Sequence, residues 1–219
     1  MKTESGRGAR LFLVRHGETE GESSIRYHGR NDVALSDLGR AQMRAARRHL
    51  HSLRDGSSFA RIFSSPLVRA SEGARIIVGE SVALDIIDEF AEVHFGLFEG
   101  LTADEISERF PEEFARWNVN RLAPEYTYPE GESRTAFAER VGVGVERMLE
   151  LWVPQENRED RDALVVAHRG VIRGIVRKLT GAQPVVELGS IHLLHFDGAW
   201  RVGELDLNEH LAGAPRHLK

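Results

Sequence analysis

The sequence predicts an α/β protein, a three-layer α/β/α sandwich around a mostly parallel central sheet, on three observations. Leu11-Phe12-Leu13-Val14 and Ala163-Leu164-Val165-Val166-Ala167 are short, uninterrupted apolar runs, the pattern of strands covered on both faces. Between them lie segments whose apolar residues recur at helical spacing. The two kinds of segment alternate, as they must where helices cover both faces of a parallel sheet.

The first run is followed by Met43, Ala46, Leu50 and Leu53 on one helical face, with Ser36 placed as its cap. Ala60-Arg61-Ile62-Phe63 reads as the next strand, and Ser65 as the cap of a helix over 67–78 with Pro66 in its first turn. Thr102-Ala103-Asp104-Glu105 is a capping box that opens another helix. Phe137, Val141, Val145, Met148 and Trp152 share a face, and Ile172, Ile175, Val176 and Leu179 form a stripe directly behind His168. Residues 190–207 alternate like strands. Linker-like stretches are short, at 54–58, 123–132 and 155–162, and the second carries two prolines and a glycine suited to a loop over the strand ends. The expected organisation is a polar, flexible tail over 1–9 and a single domain over 10–219.

A chain of 219 residues with 41% hydrophobic content can bury one substantial core. Its net charge of -5 argues against a general nucleic-acid binder. The absence of cysteine removes disulfides, thiolate nucleophiles and cysteine zinc sites, so the cytoplasm is the simplest compartment. No stretch approaches the roughly 20 apolar residues that span a bilayer. Gly142 and Gly144 lack the third glycine of a dinucleotide fingerprint, and there is no GxxxxGK loop. His192 and His195, three apart on a strand, face opposite ways and are poor co-ligands for a metal. Neither a metal nor a cofactor is expected.

Chemistry concentrates at predicted strand ends, where ligands gather in open α/β sheets. Arg15-His16-Gly17, Ser64-Ser65 with Arg69, and His168-Arg169-Gly170 bring two imidazoles and at least two guanidiniums together. A phosphate dianion suits that set, since arginine offers a planar charged fork and helix N-termini add oriented N–H groups. One histidine can be a neutral nucleophile and the other a donor. Taken singly, each is an ordinary surface or strand-end residue, and the Arg40, Arg44, Arg47, Arg48 and His51 face reads better as a solvated face than as a recognition patch.

The same segments, in chain order, resemble the histidine phosphatase, or phosphoglycerate-mutase-like, superfamily. Leu13-Val14-Arg15-His16-Gly17-Glu18-Thr19 is similar to its signature, and 32–39 to its helix-opening segment. Residues 64–70 resemble the segment carrying a second phosphate arginine, 92–100 a block led by the general acid, 129–133 a loop at the site mouth, and 166–173 the segment of the second histidine. The resemblance implies that His16 accepts the phosphoryl group, that Arg15, Arg69 and His168 hold it, and that Glu92 is the general acid and base. Glu89 and Glu99 lie near enough to compete for that last role by spacing alone.

Two positions depart from the pattern. Glu22 stands where many members have a phosphate-contacting asparagine, and must turn away or pair with a cation such as Arg26. Arg169 replaces a usual glycine, at the risk of backbone strain or with the gain of charge for a second anionic group. The loop holding Arg26, His28, Gly29 and Arg30 either reads the substrate beyond its phosphate or is an ordinary polar loop, and Gly170 is placed with the substrate contacts. The implied activity is metal-independent hydrolysis of small phosphorylated metabolites by a monomer or homodimer. A cofactor-dependent phosphoglycerate mutase is the rival, disfavoured because 102–121 is short and acidic and Phe95 stands where such mutases have a tyrosine. An inactive binding protein of the same fold is the third reading.

Overall fold

Residues 8–152 and 161–212 are described in a computed structural model, and every structural statement below concerns them. The strands are β1 (Ala9–Arg15), β2 (Arg61–Ser64), β3 (Asp85–Ile86), β4 (Ala163–Ala167), β5 (Ile191–Phe196) and β6 (Trp200–Leu207). They form one sheet in the order β3-β2-β4-β1-β5-β6. The first four run parallel, β5 is antiparallel to β1, and β6 is antiparallel to β5. The expected mostly parallel sheet is therefore a mixed one with a single reversed strand among those described. Expected tail residue Ala9 pairs with Phe196 in the sheet, while 1–7 lie outside the described residues, as do 155–160 of the third expected linker.

Alternating side chains of β1 and β4 go to different cores, as a strand's two-residue period dictates. Leu11, Leu13, Ala163, Val165 and Ala167 pack with Val141, Val145 and Met148 of α5 (Arg134–Leu151) and Ile172, Ile175 and Val176 of α6 (Arg169–Thr180). Phe12, Val14, Leu164 and Val166 pack with Met43, Ala46 and Leu50 of α1 (Asp37–Leu53) and Ala70, Ala74 and Ile77 of α2 (Val68–Val78). These are the three layers. A smaller aromatic cluster around Phe98, Ile106 and Tyr128 forms a cap with α3 (Ala103–Arg109) and α4 (Pro111–Asn120). The capping box at Thr102 and Glu105 is formed, and the helix it opens stops at Arg109 because Pro111 drives Phe110 out of helical geometry before α4 begins.

One expected cap is corrected. Leu67, not Ser65, occupies the N-cap of α2, without a side-chain cap bond. Ser65 precedes Pro66, which disfavours helical geometry there, and its hydroxyl accepts the Leu67 N–H at 3.2 Å outside the helix. Ser36 does cap α1, accepting from Gly39 N–H at 3.1 Å.

Parallel register aligns the strand ends. Arg15 is opposite Ala167 and Ser64 is opposite Val166. From this shared edge β1 leaves towards α1 on one face and β4 towards α6 on the other, so the connections diverge and open a crevice between them.

Candidate active site

His16 and His168 are the first residues past β1 and β4, and alignment of those strands sets their rings 5.1 Å apart, centroid to centroid, at an interplanar angle of 62°. His16 is held by its own N–H on the Ala167 carbonyl at 3.0 Å. Gly17 lies against Gly39 in the first turn of α1: a Cβ on Gly17 would run into the Gly39 backbone and a Cβ on Gly39 into the Glu18 backbone, so the His16 loop can seat this deeply only with glycine at both places.

The ring of His16 is oriented by its own chain: Nδ1 is 2.7 Å from the Gly17 carbonyl oxygen. A carbonyl can only accept, so Nδ1 carries the proton and Nε2 is left with its lone pair. Burial, followed by the charges of Arg69 and Arg15, pushes this imidazole well below its ordinary titration range. His16 is thus a neutral base with one exposed electron pair, the protonation state a nucleophile needs.

Nε2 of the fully buried His168 is 2.7 Å from Ser65 Oγ, which also accepts the Leu67 N–H at 3.2 Å. Burial and the charges of Arg69, His16 and Arg15 likewise hold His168 neutral. His168 Nδ1 is buried without a protein partner, and when the serine hydroxyl donates to Nε2 it is Nδ1 that carries the ring proton and can give it to a ligand oxygen. Sequence reasoning missed this role of Ser65, since Ser-Pro before a helix signals a cap.

The guanidiniums are fixed by backbone oxygens. Arg69, 2% exposed, donates to the carbonyls of Gly29 at 2.7 Å and Asn31 at 2.8 Å. Gly29 adopts φ +51°, and a side chain there would strike Glu99, so it shapes the loop that aims Arg69. Arg15 donates to the Val186 carbonyl at 3.1 Å. Burial, then the neighbouring Arg169, lowers its pKa to about 9, a value that keeps it charged at neutral pH. The Nε atoms of Arg15 and Arg69 are buried without a partner, as an anion-binding cradle would leave them.

Glu92, the residue led to by the motif, is buried, and its carboxylate accepts from Gly170 N–H at 3.1 Å and its neighbour Val93 N–H at 3.0 Å. Gly170 admits that approach because a Cβ would contact both Glu92 and Phe137. Glu89 and Glu99 face elsewhere: Glu89 pairs with Arg147, and Glu99 accepts backbone N–H groups of Arg30 and Phe95. Arg140, unmarked in the sequence because nothing local distinguishes it on α5, donates to the carbonyls of Glu89, Ala91 and Glu92 and forks onto Glu132. It pins the segment that carries Glu92.

Glu22 is exposed at φ 60° and lies 3.9 Å from Arg26. Arg26 forks instead onto Glu105, at 2.5 and 3.1 Å, and onto the Gly100 carbonyl, which makes it a strut between this loop and α3. His28 is buried near Arg69, with Nε2 2.6 Å from the Gly21 carbonyl. Arg169 is exposed at the start of α6, where no strained backbone accompanies it. Residues 126–130 pack beside α4 and line a cavity with Glu113 and Arg116.

The description of the histidine phosphatase superfamily (branch 1) matches residues 11–200. A bifunctional protein of Mycobacterium tuberculosis is 35% identical over 194 residues, 88% of this chain and 49% of that protein, so the chain spans about half the length of this curated relative. An adenosylcobalamin/alpha-ribazole phosphatase of Escherichia coli is 28% identical, covering 93% of this chain and 92% of the relative. The crystal structure of the alpha-ribazole phosphatase from Shigella flexneri has a TM-score of 0.76 at 26% identity, over 90% of this chain and 96% of that one. The match extends from β1 to the start of β6 and takes in every segment that builds the pocket: the chain belongs to the histidine phosphatase superfamily, branch 1.

Proposed function

We propose that this protein is a metal-independent phosphomonoester hydrolase of the cytoplasm that acts on small phosphorylated metabolites through a phosphohistidine on His16. The observation that carries the reading is the pair of neutral imidazoles 5.1 Å apart, between two buried guanidiniums. His16 Nε2 attacks phosphorus in line, forming the P–N bond as the P–O bond to the leaving group breaks. Arg15, Arg69 and the Nδ1–H of His168 take the charge on the equatorial oxygens, and being fixed beforehand they need no rearrangement as it develops. Glu92 gives its proton to the leaving oxygen. Water then attacks the phosphohistidine while Glu92 removes a proton, which restores both groups and releases inorganic phosphate. The arginines supply the positive charge that a metal supplies in other phosphatases. Relatives named phosphatases favour hydrolysis over the mutase alternative.

Turnover of p-nitrophenyl phosphate in EDTA tests the reading. Phosphate release is expected, and His16→Ala should lower kcat by roughly a thousandfold or more, as loss of a nucleophile does. Undiminished release by the variant overturns the mechanism. Isomerisation of 3-phosphoglycerate that requires added bisphosphoglycerate and outpaces hydrolysis would establish the mutase instead.

A further inference from the structure

We propose that Arg169, with Arg173 one turn behind it, forms a second anion subsite at the leaving-group side of the phosphate pocket, so that the preferred substrates are phosphomonoesters carrying a carboxylate or second phosphate. The inference rests on the phosphomonoesterase reading and adds the substrate class.

Its position follows from four hydrogen bonds. Arg169 Nε donates at 3.3 Å to the Val186 carbonyl, the same oxygen that takes Arg15 at 3.1 Å, so the guanidinium of a phosphate ligand and that of Arg169 meet on one atom. Arg173 Nε donates to the neighbouring Pro184 carbonyl at 3.2 Å. Gly170, the residue after Arg169, holds the carboxylate of Glu92. Glu92 marks where the leaving oxygen lies, and Arg169 therefore flanks the departing group rather than the phosphoryl oxygens. Arg15 and Arg69 are buried beside the two histidines, whereas Arg169 and Arg173 are exposed further out.

The arrangement is unfavourable without an anion. Two like charges four apart on a helix repel, and cations in a first turn oppose the helix dipole, each by a few tenths of a kcal/mol or more. Other guanidiniums of this region are matched with carboxylates, Arg26 with Glu105 and Arg140 with Glu132. Among the described residues Arg169 and Arg173 have no such ion pair; Arg173 is lowered by burial and then by the charge of Arg169, which the carboxylates of Asp206 and Glu92 offset only in part. Tyr27, whose phenol also lies in the field of Arg169, stands close by. A bound dianionic or carboxylate-bearing leaving group resolves the repulsion that the protein leaves open.

The test uses esters matched except for the second charge. D-3-phosphoglycerate is compared with glycerol 3-phosphate, and fructose 1,6-bisphosphate with fructose 6-phosphate. In the wild-type protein kcat/KM should favour the more anionic member of at least one pair by about tenfold, the size of one charge-assisted hydrogen bond. Arg169→Gly and Arg173→Ala should each shrink that ratio, mainly through KM. Calorimetric affinities of the His16→Ala protein for the same esters should show the same preference and its loss on adding Arg169→Gly, whether or not turnover occurs. Equal values within both pairs, or a ratio unmoved by Arg169→Gly, overturn the subsite while hydrolysis itself stands. Absence of phosphate release from every ester, with the binding preference intact, sinks the hydrolase reading and keeps the subsite.

Discussion

At the scale of single residues the site is controlled by which nitrogen of each imidazole carries a proton. Gly17 settles this for His16 through a backbone carbonyl, whereas the Ser65 hydroxyl 2.7 Å from His168 Nε2 can donate or accept, and His168 presents Nδ1–H to the pocket when the serine donates. Ser65→Ala should therefore leave His168 free to adopt the wrong tautomer, lowering kcat on the order of tenfold, the worth of one hydrogen bond at a buried site. KM should change little, and Ser65→Thr should recover most of the loss because it restores the hydroxyl. A kcat unchanged in Ser65→Ala would show that the serine is structural packing only. Two departures from the family pattern resolve differently at this scale. Glu22 turns to solvent beside Arg26, whereas Arg169 remains at the pocket. The histidines and Arg69 were legible because each sits at a strand end or one turn beyond it. Ser65 and Arg140 were not, since their roles depend on neighbours 103 and about 50 positions away in the chain.

At the scale of elements, apolar runs made β1 and β4 readable, and helical periodicity did the same for α1, α5 and α6. The two-residue β3 carries too little pattern to be seen, and α4 is amphipathic but short and buries no residue fully, so it does not stand out as a core helix. The joint between elements that the sequence hides best is Asp162, just before β4. Its carboxylate accepts from Arg10 of β1 at 2.6 and 3.1 Å and from Arg54, the C-cap of α1, at 3.0 Å. Its carbonyl takes the Ala60 N–H ahead of β2 at 2.8 Å. Arg54 in turn lies 3.6 Å over the Phe59 ring. One buried carboxylate thus ties two strands and a helix at the edge of the sheet opposite the active site. Asp162→Ala would remove the buried carboxylate that Arg10 and Arg54 share, and its expected destabilisation is about 3 to 5 kcal/mol in urea unfolding. Protein that remains folded should keep its kcat, because the network lies at the amino ends of the strands. A loss below about 1 kcal/mol would mean that the arginines find water instead.

For the whole molecule, the recurring theme is imidazole held neutral by burial, and this couples stability to pH. His16 and His168 are joined by His192 of β5, which is fully buried and lowered to about 4 by desolvation, against an opposing pull from Asp206. The Ser190, His192 and Asp206 side chains suggest a nucleophilic relay, but the hydrogen bonds run the other way. The Asp206 N–H donates to Nδ1 at 3.2 Å, so Nε2 carries the proton and faces Ser190 Oγ at 3.0 Å, while Ser190 donates to the Glu187 carbonyl at 2.8 Å. The serine is an anchor with no base behind it. A histidine whose folded pKa lies below its unfolded value of about 6.5 binds more protons when unfolded, so its contribution is complete above that value and is lost as pH falls from there towards the folded pKa. For His192 the window is 6.5 down to about 4. Between pH 7 and pH 5, where few carboxylates titrate, it alone should remove about 2 kcal/mol of unfolding free energy. His16 and His168 act in the same direction, so the measured loss should be larger. His192→Gln should reduce the slope by about 2 kcal/mol over this interval whatever it does to stability at pH 7, because a neutral amide has no proton to gain. A flat profile from pH 7 to 5 would show that folding does not lower the titration of these rings, and an equal slope in the variant would show the same of His192 alone.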